Sequence, residues 1–493
     1  MLFDNTDLFF VRHSGVNISL GLDAMIESMG LEDERLKLWS VNDNASNMHV
    51  AIRESKYLEE LNCGIHTLAL AVSDTFKEVQ GMKKVLKKAK RLATYAHNEG
   101  PKNQLKKAVL SAGLKFRKPK CPGETRWSSQ LDCMSSLQPY KDVFDAMSTE
   151  SLEWERRNLS KQQWKLLEGA CSNLKPLKDT ILAWEGENEP TIDRVVERLY
   201  INHNILDNFL MDPKNQREKC GVLFAKKLKD NIERRFPGKG THCEIYCRAN
   251  YLNPVFKGIH LMDAERLEEV KQKMEEEWQS SLEHERSAPL GDGQMPPPLA
   301  SLSPTSQLRL KIGTMAEFKM RQKTNDFKKE VDRYESFNIC AKNESVRAWW
   351  KKFGPTLPIL SGFARSVLAI PASSAKSERA FSKGGNIVTR KRTRLNPKKV
   401  EEIVVIQENT EKVAAFLQKT TYEVKKTGRN IFAGIDIKEI VRRQVRTVMM
   451  WLMPLTASQM TLMVTNTKAM TSPILTMMWS RKWPEYLCFL NQQ

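Results

Sequence analysis

PASSAKSERAFSKGG, residues 371–385, follows an apolar helical pattern and carries a single acidic residue, Glu378, between Ser377 and Arg379. Upstream, apolar side chains recur at the i, i+3, i+4, i+7 spacing of one helix face: Leu360, Phe363, Ala364 and Val367. A second apolar face follows Asn396-Pro397, a typical helix start, and contains Val400, Ile403 and Val404. Two such faces are more than the short motif between them can cover. We therefore expect them to pack on the main core, on a partner subunit, or on both.

The composition favours a polyanionic partner. The chain has 493 residues, with 78 lysines and arginines against 59 acids, which gives a net charge of +19. A charge of this sign and size suits DNA or RNA, although a generic basic protein would have it too. The length allows one large core, and two or three are possible.

The cysteines and the apolar runs predict a soluble protein in a reducing compartment. Nine cysteines are scattered along the chain, and the odd number does not suit a disulfide framework. The N-terminus shows no secretory signal pattern. The only candidate membrane span, 448–463, is interrupted by Pro454, so we expect no membrane partner.

The first part of the chain reads as an α/β fold. Apolar residues 8–11 predict a strand, Leu22, Met25, Ile26 and Met29 form a helix face, and Leu36 to Val41 predict a second strand ending at Asn42-Asp43-Asn44. Sites in α/β sheets lie at the carboxyl edge. A helical stripe follows from residue 65 to residue 89, and 150–285 shows no convincing strand.

We predict five segments along the chain. They are an N-terminal α/β part (1–148), a helical insertion (149–285), a linker and charged segment (286–340), a C-terminal region (341–410) and a Met-rich tail whose relation to the fold is open (411–493).

Several motifs carry candidate chemistry, each beside a structural alternative. Asp43 at a strand end could ligate Mg²⁺ or cap the next helix. Cys63 and His66 are one helical turn apart, and His242, Cys243 and Cys247 form a second Cys/His cluster. Either could bind zinc or consist of a buried cysteine and a hydrogen-bonded histidine, and neither matches a zinc-finger spacing.

Arg126 could bind a phosphate while Trp127 stacks on a base. Alternatively, Trp127 could be a core residue whose exposed edge Arg126 covers. The basic run 83–91 is better explained as a solvated helix face than as a DNA contact. A second basic run is the better candidate for phosphate binding or nuclear import, and contains Arg390, Lys391, Arg392 and Arg394.

Together these motifs resemble the hAT superfamily of DNA transposases and their domesticated, BED-finger-associated relatives. The resemblance rests on NDNASNM, Cys63-x2-His66, TRWSS, the 363–382 stretch and KRTRLNPKKVEEIVVIQEN, and it spans about residues 12–409. It implies an RNase H-like domain interrupted by an all-helical insertion and completed by a C-terminal dimerisation region. It also implies a nuclear, homodimeric or larger assembly that acts on DNA.

By the same resemblance, Asp43 is the second and Glu378 the third acid of a triad that holds two Mg²⁺ or Mn²⁺ ions for phosphodiester chemistry. Cys63 with His66, and Arg126 with Trp127, match pairs that support the active site or handle DNA ends. Leu360, Phe363, Val367, Val400, Ile403 and Val404 fall in the dimerisation region.

The sequence departs from the family pattern in its N-terminal part. Only 42 residues precede Asp43, and neither the first triad Asp nor a BED finger is found there. We therefore expect a catalytically defective protein that keeps dimerisation and DNA affinity. The alternatives are an active transposase or nuclease whose start has been misassigned, and an interaction module that does not bind DNA.

Overall fold

The computed structural model describes residues 14–28, 30–31, 38–123, 127–186, 189–216, 219–261, 263–287, 326–340, 344–387 and 403–404. The strand predicted at 8–11, residues 288–325 of the predicted linker and charged segment, the basic run 389–394, Val400 and the tail after 410 lie outside them. Within the described residues, no helix is long and apolar enough to cross a membrane.

The described part of the chain consists of α-helices and two strands. In chain order they are α1 (Gly15–Ser28), β1 (Leu38–Asn42), α2 (Ser46–Glu54), β2 (Leu58–Asn62), α3 (Gly64–Glu78), α4 (Met82–Tyr95), α5 (Glu99–Ser111), α6 (Trp127–Leu137), α7 (Lys141–Glu150), α8 (Leu152–Arg157), α9 (Lys161–Trp184), α10 (Arg194–Met211), α11 (Pro213–Gln216), α12 (Lys219–Arg235), α13 (Glu244–Leu252), α14 (Ala264–Ser287), α15 (Asp326–Ser336), α16 (Val346–Phe353), α17 (Pro358–Val367) and α18 (Ala375–Ile387). Short 3₁₀ turns lie at Gln138–Tyr140, Pro237–Gly240, Ile259–Leu261 and Gly354–Thr356.

The chain divides into two compact units. Unit 1 comprises residues 1–63, 187–193 and 248–493, and unit 2 comprises residues 64–186 and 194–247. These bounds differ from the predicted segments, which follow composition and motif positions. The predicted segments stay predictions.

Unit 1 contains the sheet. β1 and β2 pair in parallel, with Leu38 opposite Leu58 and Asn42 opposite Asn62. Because parallel neighbours need a crossover, α2 connects them. The predicted helix around Leu22 and the predicted strand ending at Asn42 are confirmed as α1 and β1. The described part is therefore mostly helical with a small parallel sheet, which agrees with the predicted mixture of α/β and all-α parts in its coarse form; the RNase H-like topology stays a prediction.

Helices α1 and α2 pack closely on each other in unit 1. Ile18 and Leu22 of α1 meet Met48, Ala51 and Ile52 of α2 in one buried cluster. The two helices approach closely at Gly15, where an added Cβ would clash with the side chain of Val50.

The later part of unit 1 is held by aromatic side chains. Tyr334 is fully buried; its ring stacks on Trp350 at 5.6 Å between centroids, and its hydroxyl donates to the carbonyl of Tyr251 at 2.9 Å. The indole N–H of Trp350 donates to the carbonyl of Leu252 at 2.9 Å. Buried aromatic groups with satisfied polar ends fix α15 and α16 against the end of α13.

The regular elements among the described residues of unit 2 are all helices, joined by non-helical segments such as residues 114–123. Its longest helix, α9, begins with a capping box in which the Ser160 hydroxyl accepts from the Gln163 N–H and the Gln163 side chain accepts from the Ser160 N–H. Trp164 and Trp184 of α9 are buried. The stripe predicted from residue 65 to residue 89 forms the buried faces of α3 and α4.

Candidate active site at the sheet edge

The two predicted catalytic acids belong to the same unit. Asp43 directly follows β1, and Glu378 lies in the first turn of α18. Asp43 and Glu378 are both partly exposed, so neither is locked inside the core.

Cys63 connects the elements that carry these acids. Its backbone N–H donates to the carbonyl of Asn42 at 2.7 Å, which extends the parallel ladder one residue beyond the strands. Its sulfur accepts from the backbone N–H of Ser374 at 3.4 Å. The cysteine is 1% exposed, so the ends of β1 and β2 and the start of α18 meet around a buried thiol.

Ser374 holds Glu378 in turn. The Ser374 hydroxyl donates to Oε1 of Glu378 at 3.1 Å, and the Glu378 N–H donates to the Ser374 carbonyl at 3.0 Å. A carboxylate in the first turn of a helix is also favoured by the helix dipole. Glu378 therefore has a structural role at this helix start besides the catalytic role that the resemblance implies.

Two asparagines beside Asp43 carry buried oxygens without a hydrogen-bond partner among the described residues. These are Oδ1 of Asn42 and Oδ1 of Asn44. The amide N–H of Asn42 donates to Oε1 of Glu60 at 3.4 Å, and the same Oε1 lies 2.5 Å from Nδ1 of His49. Unpaired buried acceptors cost free energy unless a cation, a donor or water satisfies them. The sequence signal for them is the NDN triplet at the strand end, of which only Asp43 is predicted as a metal ligand.

Two of the remaining predicted site residues belong to unit 2. His66 lies in the first turn of α3, in unit 2. Trp127 is the first residue of α6, also in unit 2, and is 7% exposed, which favours the core-tryptophan alternative over an open stacking platform. Arg126, Arg390, Lys391, Arg392 and Arg394 lie outside the described residues.

The described residues contain no group of three or more His, Cys, Asp or Glu side chains that could hold a metal ion. We call the ends of β1 and β2, with Asp43 and Glu378, the acidic edge. Within the described part of the chain, neither the acidic edge nor either predicted Cys/His cluster forms such a group. Asp43 and Glu378 are thus two carboxylates without a third ligand of this kind among the residues that the structure describes.

The predicted dimerisation residues are divided by burial. Leu360 and Val367 of α17 are buried in their own unit, as is Val404. Phe363 and Ile403 are only partly buried, and the ring of Phe363 lies edge-on to Phe327 at 6.4 Å. Of the expected coverings, the main core therefore accounts for Leu360, Val367 and Val404. Phe363 and Ile403 keep exposed surface that a partner could cover.

Comparison with known proteins gives the family context. Residues 324–410 match the model of the hAT family C-terminal dimerisation region. The chain is 38% identical over 77 residues to the Putative AC transposase of Zea mays, which is 15% of this chain and 10% of the maize protein. It is 20% identical over 310 residues to the zinc finger BED domain-containing protein DAYSLEEPER of Arabidopsis thaliana, or 58% of this chain and 40% of that protein.

A human relative shows the same partial coverage. The match to zinc finger BED domain-containing protein 4 of Homo sapiens is 23% identical over 238 residues and covers 48% of this chain and 19% of the human protein. The matches therefore span between 10% and 40% of the length of these curated relatives.

Proposed function

We propose that this chain, which is related to the hAT transposases, is a transposase-derived nuclear protein that self-associates, binds DNA and does not itself cut or join it. The observation that carries the proposal is the match of 324–410 to a dimerisation region. That stretch contains four helices of unit 1, α15 to α18. The net charge of +19 supports a polyanionic partner.

Self-association can be tested by light scattering at micromolar concentration. We expect a dimer or larger species for the wild type, and a shift towards monomer for Phe363→Asp combined with Ile403→Asp, because a buried unpaired charge is costly at an interface. Ile259→Asp is the control, since Ile259 is 68% exposed in the same unit and lies outside 324–410. A wild-type monomer would overturn this part of the proposal.

The acidic edge fits a magnesium or manganese ion in the kind of ligand it offers. Asp43, Glu378 and the unpaired Oδ1 of Asn42 are hard oxygen donors, which these ions prefer. Such an ion would activate water or a 3′-hydroxyl for attack on a phosphodiester. Two carboxylates neutralise the charge of one divalent ion, whereas two-metal catalysis needs two ions close together. This imbalance supports the proposal that the edge does not cleave DNA.

An active transposase or nuclease is the second candidate function, and the shared sheet edge with its unpaired oxygens favours it. A nicking assay on terminal-inverted-repeat duplex with Mg²⁺ or Mn²⁺ decides between the two. We expect no cleavage above that of Glu378→Gln, which keeps the size of the side chain. Metal-dependent nicking that disappears in Glu378→Gln and in Asp43→Asn would establish the active enzyme instead.

A further inference from the structure

A second basic segment lies beside the basic run on α4 in unit 2. Residues 82–123 contain thirteen lysines and arginines and one acid, Glu99, so this stretch contributes +12 of the net charge of +19. It comprises α4, α5 and a non-helical segment, 114–123, that leads towards α6. Much of the positive charge of the protein is therefore concentrated in less than a tenth of its residues.

The exposed lysines of α4 form a stripe along the helix. Lys83, Lys87 and Lys90 are spaced i, i+4, i+7, which places them on one helix face, and all three are exposed. The buried side chains of α4 lie on a different face and hold the helix to the core; they are Met82, Val85, Ala89, Leu92 and Ala93. The stripe is therefore presented by a helix that is fixed in the unit.

The non-helical segment runs alongside α4 in the opposite direction. The carbonyl oxygen of Pro119 lies 2.5 Å from Nε2 of His97, which follows the end of α4. Residues 122–123 line a surface cleft together with Lys87 and Lys90. Later residues of the segment thus meet earlier positions of the helix, so the segment borders the lysine stripe.

Hydrogen bonds hold the backbone of this segment and leave its charged side chains outside. The hydroxyl of Tyr140 donates to the carbonyl of Lys115 at 3.0 Å and accepts from the N–H of Arg117 at 2.6 Å. The side chains of Lys115, Arg117 and Lys118 are exposed. The exposed cations of α4 and of the segment together are called the basic strip: Lys83, Lys87, Lys90, Lys115, Arg117 and Lys118.

The acids close to the basic strip have other partners. Glu99 pairs with Lys102, and Asp132 pairs with Lys120 and Lys178. None of the six cations of the strip makes an ion pair with an acid among the described residues. The field over the strip is therefore positive and attracts a polyanion.

The strip offers no open aromatic surface on which a base could stack. The large aromatic side chains of 82–123 are Tyr95 and Phe116, and both are partly buried. The guanidinium carbon of Arg157 lies 4.1 Å from the centroid of the Tyr95 ring and covers it. Proteins bind single strands largely by stacking bases on aromatic rings, whereas a duplex can be held through its phosphates alone. The strip therefore suits a duplex better than a single strand.

We infer that the basic strip binds the phosphate backbone of double-stranded DNA without reading the base sequence. The inference rests on the proposed DNA binding, and it adds the place of contact and the form of the DNA. The stripe on α4 is about 10 Å long at 1.5 Å per residue. Because a duplex carries one phosphate charge for about 1.7 Å of its axis, the stripe reaches several phosphates.

The structure changes the interpretation of the run 83–91. The sequence favours a solvated helix face for this run. The structure adds a second row of cations beside it, on a segment that is distant from α4 in neither charge nor space. Two adjacent rows of like charge repel each other unless an anion lies over them, and a phosphate backbone supplies that anion.

The test is fluorescence anisotropy with two labelled duplexes of unrelated sequence and with one of their strands alone. The triple variant Lys83→Gln, Lys87→Gln, Lys90→Gln should lower the slope of log K against log salt by about 2.7 on both duplexes, because each lost phosphate contact removes about 0.9. Lys115→Gln with Arg117→Gln should lower it by about 1.8 for the same reason. The wild type should bind the two duplexes equally, and each at least as tightly as the strand.

Lys214→Gln, Lys219→Gln, Lys226→Gln is the matched control. Its three lysines are exposed on α11 and α12 of unit 2, so it removes the same charge outside residues 82–123. It should leave the slope unchanged.

The inference is overturned if the control and the α4 variant lower the slope equally, or if the strip variants leave it unchanged. Tighter binding of the wild type to the single strand, or to one duplex over the other, would also overturn it. Competition by polyglutamate as effective as by unlabelled duplex at equal charge would assign the strip to an acidic protein instead. In the first three cases the wild type still binds DNA and the proposed function stands, whereas a wild type that binds none of the DNA probes removes both.

Discussion

Gly169 lies where α9 and α12 cross in unit 2. A Cβ at this position would lie 2.6 Å from the Cα of Gly221, which is backbone and cannot rotate away. Overpacking of this kind separates helices or strains them. Gly169 is therefore required by the close approach of the helices, whereas a Cβ at Gly221 would lie at ordinary contact distance, 3.4 Å from the ring of Phe209.

We predict that Gly169→Ala lowers the free energy of unfolding by about 1–3 kcal/mol. Gly100→Ala, in α5 of the same unit, has no neighbour within 4 Å of its new Cβ and should raise the stability by about 0.5 kcal/mol. Urea unfolding followed by circular dichroism measures both. Equal effects of the two substitutions would contradict the close crossing.

His203 makes the stability of unit 2 depend on pH. Burial lowers the pKa of this imidazole, with Lys239 and Lys229 adding to the effect and Glu233 and Asp207 opposing it. Since the unfolded chain then binds a proton more readily than the folded chain, stability is fully present above the ordinary pKa near 6.5 and falls as the pH drops from there towards the lowered pKa.

We therefore expect the urea concentration at the unfolding midpoint of the wild type to decrease when the pH is lowered from about 7.5 to about 5.5. The decrease should be smaller in His203→Gln. The difference between the two proteins, measured at both pH values, isolates this residue from the other titrating groups. An identical pH response in both would show that His203 does not contribute.

At the scale of elements, helix α17 is capped by a side chain from another helix. Its N-cap residue is Leu357, which offers no side-chain acceptor. The buried carboxylate of Glu330 on α15 accepts from the N–H groups of Ile359 and Leu360 at distances of 2.9 to 3.1 Å. Charge-assisted bonds to a helix N-terminus stabilise both helices.

We predict that Glu330→Ala destabilises unit 1 by about 2–3 kcal/mol, because it leaves buried N–H groups unpaired. Asp332→Ala is the matched control on the same helix, at an exposed position, and should change stability by less than about 0.5 kcal/mol. Thermal unfolding compares the two. Since residues 324–410 match the dimerisation region, Glu330→Ala should also weaken self-association in light scattering.

The small sheet shows how far sequence periodicity reaches at this scale. β1 is predictable because Leu38, Trp39 and Val41 are strand formers beside a turn signal. β2, with the sequence LEELN, is not predicted, since two glutamates interrupt its apolar residues and its pairing with β1 supplies the missing preference.

At the scale of the whole molecule, the excess of positive charge predicts the response of DNA binding to salt. Each phosphate neutralised by a lysine or arginine releases a counterion, so log K for a duplex should fall with log salt by about 0.9 for each contact. We expect a steep decrease for the wild type in anisotropy titrations over a range of NaCl concentrations. A flat response, or no binding at low salt, would favour the interaction module without DNA binding.

Contacts between residues far apart in the chain limit what the sequence could predict about the candidate site. Asp43 and Glu378 are recognised by motif, and both lie in unit 1. The contact that links their elements, from the Ser374 N–H to the Cys63 sulfur, joins residues 311 positions apart. Nothing in local periodicity encodes such a contact, so the roles of Ser374, Asn42 and Asn44 could not be predicted from the sequence.

The sequence by itself determined the apolar helix faces, the strand that ends at Asn42, the excess of positive charge and the motifs that resemble hAT transposases. Helix and strand patterns are encoded within a few neighbouring residues, and the net charge needs only a count of residues. Only the tertiary structure decided that Cys63 joins the elements that carry Asp43 and Glu378, and that Glu330 caps α17. These depend on which surfaces meet when distant segments pack, and the buried polar groups that result need partners that the linear chain does not name.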